Sequence, residues 1–141
     1  MEDKKSRLDK LCREFQVDIL YAFGSRAREV YAWLQNDEER LAGSNSDVDI
    51  GAKPSPGVEY DVAQKVRLAI ALEDMLDVSR VDLAILPDVD PFVAANIIRG
   101  ERLYTADDYR ADEYDLYILR RAGDLAFMER QRQKLILGEE A

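Results

Sequence analysis

Six of the seven residues from Val17 to Phe23, all but Asp18, are apolar, and they fall on both faces of an extended chain. Val17, Ile19, Tyr21 and Phe23 fall on one side, Leu20 and Ala22 on the other. Such a strand belongs inside a sheet, not on its edge. Helical spacing precedes it, with Leu8, Leu11, Cys12 and Phe15 recurring at i, i+3, i+4 and i+7 over residues 3–15. It also follows it, from Ser25 through Ala27, Val30, Tyr31 and Leu34. Residues 36–45 read as a polar loop, and Asp47 to Ala52 as a second strand stopped by Pro54 and Pro56. A second long helix is predicted from Tyr60 to Leu76, with Val62, Val66, Ala69, Ile70 and Leu76 on its inner stripe. Val81 to Leu86 reads as a third strand. Asp90-Pro91 is a helix start, an N-cap followed by proline at the first helical position, and Gly100 stops that helix. A short strand over Arg102 to Tyr104 precedes a helical segment from Asp107 to about Leu137, with Gly123 as an expected break. This alternation predicts an α/β (α+β) chain with a small mixed sheet flanked by helices and a helical C-terminal tail. One domain is expected over residues 1–141, with a core to about residue 105 and the tail from about 106.

Composition removes whole classes of chemistry. The chain has no histidine and one cysteine, Cys12. Ser–His–Asp and Cys–His catalysis are therefore excluded, as are an internal disulfide and a cysteine-rich zinc cage. What remains is carboxylates, hydroxyls, Lys/Arg and bound ions, and oxygen ligands favour Mg²⁺ or Mn²⁺. The net charge of −9 argues against a broad grip on nucleic acid. Met1-Glu2-Asp3-Lys4-Lys5 leads into no apolar signal region, and no uncharged run approaches the ~20 residues that span a bilayer. The cytoplasm is the expected location.

Two pieces of sequence carry the chemistry. Gly24-Ser25 sits where the first strand turns into a helix, a place where outward-pointing N–H groups suit a phosphate. Alone this pair reads as an ordinary helix N-cap. Downstream, however, Ser46-Asp47-Val48-Asp49 places two carboxylates on one face of an extended segment, ~7 Å apart. Like charges so close call for a cation between them. Asp82, on the third strand, converges on the same point if that strand lies beside the second. Asp47, Asp49 and Asp82 are thus the candidate catalytic and metal-binding residues, enough to hold two divalent ions. Gly24, Ser25 and Arg28 are the candidate nucleotide contacts, and Arg26 is expected to face solvent. Asn45-x-Asp47-x-Asp49 imitates a calcium loop, but Ile50 and Pro56 stand where that loop needs Gly and Glu. The tyrosines after Tyr104 recur at helical spacing, as packing or as a partner-docking face.

Gly24-Ser25, Ala27-Arg28, Ser46-Asp47-x-Asp49 and Val81-Asp82-Leu83-Ala84-Ile85-Leu86 together resemble the minimal nucleotidyltransferases of the DNA polymerase beta superfamily. The resemblance covers about the first hundred residues, up to Tyr104. It implies a nucleotidyltransferase sheet, ATP as substrate with two Mg²⁺ ions, Ser46 as a further nucleotide contact beside the metal-binding pair, and a HEPN-domain toxin as partner. By resemblance, such an antitoxin transfers AMP to a tyrosine hydroxyl of the toxin, a ribonuclease, and silences it. The alternatives are an antitoxin that acts by binding alone and a transferase for a cationic small molecule such as an aminoglycoside. The sequence departs from the family between Arg28 and Ser46, where the segment is longer, and at Glu29, where glycine is common. A lengthened helix and loop, reaching over the nucleotide or toward a partner, is the expected consequence.

Overall fold

A computed structural model describes residues 2–41 and 47–138. Ser46, one of the expected nucleotide contacts, lies with residues 42–45 outside the described residues. Five helices and four strands alternate as α1 (Lys4–Glu14), β1 (Val17–Phe23), α2 (Ala27–Gln35), β2 (Val48–Pro54), α3 (Val62–Leu76), β3 (Val81–Ile85), α4 (Pro91–Ile98), β4 (Glu101–Thr105) and α5 (Asp108–Leu137). The strands form one sheet in the order β3-β2-β1-β4. β1 runs antiparallel to both β2 and β4, while β2 and β3 are parallel. The expected mixed α/β architecture is the observed one, and β1 is central, as its two apolar faces demand.

Those two faces meet different layers. Leu20 and Ala22 join Ile50 and Ala52 in a core built with Leu8, Cys12, Val30, Leu34, Leu68 and Leu72 of α1, α2 and α3. Ile19 and Tyr21 face the other way, against Ala94, Ala95 and Ile97 of α4 and Ala111, Ile118 and Ala122 of α5. The start of α5 is tied to the sheet by charge. Asp18, buried in β1, receives two bonds from Arg110, at 2.5 and 3.0 Å. The Tyr21 hydroxyl donates to Asp115, which also accepts from Arg102 at 2.7 Å.

Several expectations are corrected. β2 extends through Lys53 and Pro54, because Pro54 sits opposite Val17 at the strand's end, where the missing N–H costs little. It begins at Val48, so Asp47 precedes the strand. In α3 the inner stripe is Leu68, Leu72, Met75 and Leu76, whereas Val62, Val66 and Ile70 are exposed. Asp61 caps this helix through a capping box with Gln64, which sets its start two residues later than Tyr60. Gly123 does not break α5, which runs on for 30 residues. Tyr109 and Tyr117 are exposed rather than packed. Arg26 is buried at 7% exposure and forms a forked pair with Glu29, at 2.9 and 3.0 Å, so it does not face solvent.

The described part of the long segment after α2 folds back on α1. The Lys4 ammonium donates to the carbonyls of Trp33, Asn36 and Glu39 at 2.8, 2.6 and 2.6 Å, and it sits 4.3 Å from the centre of the Trp33 ring. Leu41 packs against the core on the same side.

Candidate active site

The registers bring the separate acidic and glycine elements to one end of the sheet. Phe23 pairs with Asp49, and Asp49 pairs with Asp82. On the far side of β1, Ala22 pairs with Glu101. The end of β1, the starts of β2 and β3 and the start of β4 therefore share one edge. Gly51, two residues beyond Asp49 on the same face, lies against Ile97 of α4. Asp49 and Asp82 thus face the α4 and α5 layer rather than the α1–α3 core.

Gly24 lies against the carboxylate. Its φ is +74°, a left-handed conformation, and a Cβ there would fall 2.3 Å from the Asp49 Oδ2. Only glycine serves both demands. The turn continues as a 3-10 stretch, Gly24–Arg26, before α2 opens, and no side chain caps either start. Ser25 is exposed and does not act as an N-cap, so the ordinary capping role is not the one it plays.

Burial, together with the charges of Asp82 and Asp47, raises the pKa of Asp49. Asp49 thus lies within reach of the charge of both other carboxylates. The three do not form a ready cage. Asp47 turns to Arg80, 3.5 Å away, a largely exposed pair just before β2 and β3 begin. Among the described residues no group of three acidic side chains is arranged to hold a metal ion. The donor set nevertheless fits a hard divalent cation. Every candidate ligand is a carboxylate oxygen, and the half-buried Asp49 has its pKa pushed up by burial and by its neighbours' charge, which a bound cation would offset.

Beside Gly24 and Ser25 opens a cleft of about 430 Å³ lined also by Arg28, Asn96, Arg99 and Gly100. Asn96 and Arg99 carry no signal of this role in the sequence. They come from the last turn of α4 and from the residue that caps it, more than seventy residues beyond Ser25, and reach the turn only because β4 pairs with β1. Gly100 makes that approach possible. A Cβ there would lie 2.2 Å from the Ala22 carbonyl oxygen and 3.0 Å from the Phe23 Cα, both backbone atoms that cannot swing aside. Gly100→Ala is expected to destabilise the fold by ~2 kcal/mol, within the range for overpacking. Thermal unfolding of the variant measures it, and an unchanged midpoint would refute the contact.

The four-stranded mixed sheet, with a glycine turn after one strand and acidic residues at the start of the next two, is nucleotidyltransferase-like in fold. No protein-family model and no curated protein matches the chain. Among solved structures, it is similar to a chain of a toxin–antitoxin complex with AMP-PNP, at 21% identity and a TM-score of 0.63, covering 94% of each chain. It is similar also to a chain of the Shewanella oneidensis complex of tri-AMPylated HEPN toxin with MNT antitoxin, at 20% identity and a TM-score of 0.59, over 94% of this chain and 92% of that one. A protein assigned as a minimal nucleotidyltransferase matches at 24% identity and a TM-score of 0.50, over 71% of this chain and 94% of its own. Likeness at these identities is one of fold. Among the described residues no helix is long and apolar enough to cross a membrane.

Proposed function

We propose that this protein is an ATP- and Mg²⁺-dependent adenylyltransferase that moves AMP onto a tyrosine hydroxyl of a HEPN ribonuclease toxin and thereby acts as its antitoxin. The observation that carries the reading is the row Gly24, Asp49, Asp82 across three strands, next to a cleft with two arginines. Its support from other proteins is the shared fold with chains of toxin–antitoxin complexes, one with AMP-PNP and one with a tri-AMPylated HEPN toxin.

In this reading the turn at Gly24 and Ser25 receives the triphosphate tail through backbone N–H groups and the serine hydroxyl. Arg28 and Arg99 supply positive charge from the two walls of the cleft. Asp47, Asp49 and Asp82 would hold the divalent ions, which neutralise the triphosphate and acidify the attacking hydroxyl when bound. The exposed Asp82 takes the proton from the acceptor tyrosine. The tyrosine oxygen bonds to the α-phosphorus, the bond to the β-phosphate bridge breaks, and pyrophosphate leaves.

Incubation with labelled ATP, Mg²⁺ and a HEPN toxin encoded beside this chain, followed by mass analysis, tests the reading. Retention of label on a toxin tyrosine is the expected result, and an unmodified toxin that is still silenced would overturn it. That second outcome is antitoxin action by binding alone. Arg99→Ala is expected to raise KM for ATP about tenfold, the equivalent of ~1.4 kcal/mol for one lost charge-assisted contact. Steady-state kinetics at varied ATP reads it, and an unchanged KM would remove Arg99 from the nucleotide cleft.

A further inference from the structure

The acidic end of β2 and β3 has a fourth corner, and it is basic. Val48 pairs with Val81 and Asp49 with Asp82 in the parallel register. The Val48 N–H also donates to the Arg80 carbonyl at 3.3 Å, so the pairing continues one step past both strand starts and sets Arg80 beside Asp47. Residues two apart on an extended chain project to the same side. Asp47 and Arg80 therefore stand one layer outside Asp49 and Asp82. The Arg80 Nε lies 3.5 Å from the Asp47 Oδ2. Among the described residues no other cation is ion-paired with any of the three carboxylates.

The pair is built to be exchanged. At 3.5 Å it is longer than a good N–H···O bond, and the Arg80 side chain is 73% exposed. Exposed pairs of this kind contribute little to stability. Among the described residues the Arg80 side chain has no second partner to hold it in place. A hard divalent ion bound by Asp47 would sit far closer to the carboxylate, at ~2.0–2.1 Å for Mg²⁺. It would also repel the guanidinium beside it. Asp47 can serve one of these cations well, not both.

We infer that Arg80 competes with the divalent ion for Asp47, so that binding of the ion releases the arginine and turns Asp47 in beside Asp49. The inference rests on the reading of Asp47, Asp49 and Asp82 as metal ligands. Arg80 is then a positioning residue that acts through Asp47. It offsets part of the repulsion along the acidic row and weakens the hold on free Mg²⁺.

Magnesium titration of the isotope-labelled full chain, stripped with chelator and free of nucleotide, tests this by NMR. The Asp49 amide reports the ion. The Arg80 Nε–Hε resonance, identified by its loss in Arg80→Lys, reports the pair. Both are expected to move with one midpoint, Arg80 toward its position in Asp47→Ala, where no pair can form. An Asp49 amide that moves while Arg80 stays overturns the competition and leaves the metal reading standing. If neither moves, the metal reading fails and the inference falls with it. Mn²⁺ binding, read from the free-ion signal in electron paramagnetic resonance, is the second readout. Arg80→Ala is expected to bind Mn²⁺ about tenfold more tightly, since it removes both a competing partner and a repelling charge. With Asp47→Ala already in place the gain should shrink to about threefold, the part due to charge alone. Equal gains in both backgrounds would make Arg80 a general charge rather than a partner of Asp47, and an unchanged affinity in Arg80→Ala would exclude it altogether.

Discussion

Asp49→Asn is expected to abolish AMP transfer and, in the absence of metal, to make the protein more stable. Asp49 occupies the centre of the row, between Gly24 in the turn after β1 and Asp82 on β3. Losing one charged ligand removes several kcal/mol of charge stabilisation, so the rate should fall roughly a thousandfold, the equivalent of ~4 kcal/mol. The stability change has the opposite sign. Burial, then the charges of Asp82 and Asp47, hold the Asp49 carboxyl above its ordinary value of 3.8. A carboxyl whose folded pKa is raised destabilises the fold once it is ionised, and the cost disappears as pH falls below the unfolded value. The melting temperature of Asp49→Asn should therefore exceed that of the wild type at neutral pH and converge with it below pH 3.8. Added Mg²⁺ should raise the wild-type midpoint and leave the variant's unchanged, since only a protein that binds the ion gains from it. Scanning calorimetry across pH, with and without Mg²⁺, separates these terms. A variant that melts lower than the wild type at neutral pH without metal would show that Asp49 stabilises the fold through a contact.

How much of such a site can be read from sequence depends on whether its parts are local. The spacing Asp47-x-Asp49 and the turn Gly24-Ser25 are local, and both lie at the expected sheet edge. Asp82 belongs there only on the condition that its strand lies beside β2, and the parallel register Asp49 to Asp82 supplies that condition. Arg99 and Asn96 have no local signal, because α4 approaches the turn through long-range strand pairing. Arg26 departs from expectation for a related reason. An arginine one residue past a glycine turn resembles surface, but Glu29 on the next helical turn neutralises it and allows its burial. The α3 stripe differs in another way. An apolar run containing Val62, Leu68, Ile70 and Leu72 has no single hydrophobic face, and packing against α1 and α2 selects Leu68 and Leu72.

The part of the molecule least visible in sequence is Lys4, and Lys4→Met should cost about 3 kcal/mol of folding free energy. In the sequence it is one more charge in an acidic and basic N-terminus. In the structure its ammonium is enclosed beneath Trp33 and donates to three carbonyls. Two of these, from Trp33 and Asn36, belong to the C-terminal end of α2, where unpaired carbonyls and the helix dipole both favour a cation. The third, from Glu39, belongs to the chain that leads on toward Asp47. Desolvation lowers the Lys4 pKa, and Asp37 and Glu39 act against that shift. Methionine keeps the stem that packs on Trp33 but leaves the carbonyls without their charged donor. Hydrogen bonds to a charged group contribute about 1.5–3 kcal/mol each and are not additive when they share one donor, which gives the expected total. For a chain of this length the melting temperature should fall by about 10 °C. Arginine should restore little of it, because a planar fork cannot meet three carbonyls converging on one point. Glu39→Ala is the control: Lys4 takes its backbone oxygen, so that variant should melt close to the wild type. If Lys4→Met also melts within ~2 °C of the wild type, less than the shift that 1 kcal/mol produces in a domain of this size, then α2 and the segment after it are held by packing alone.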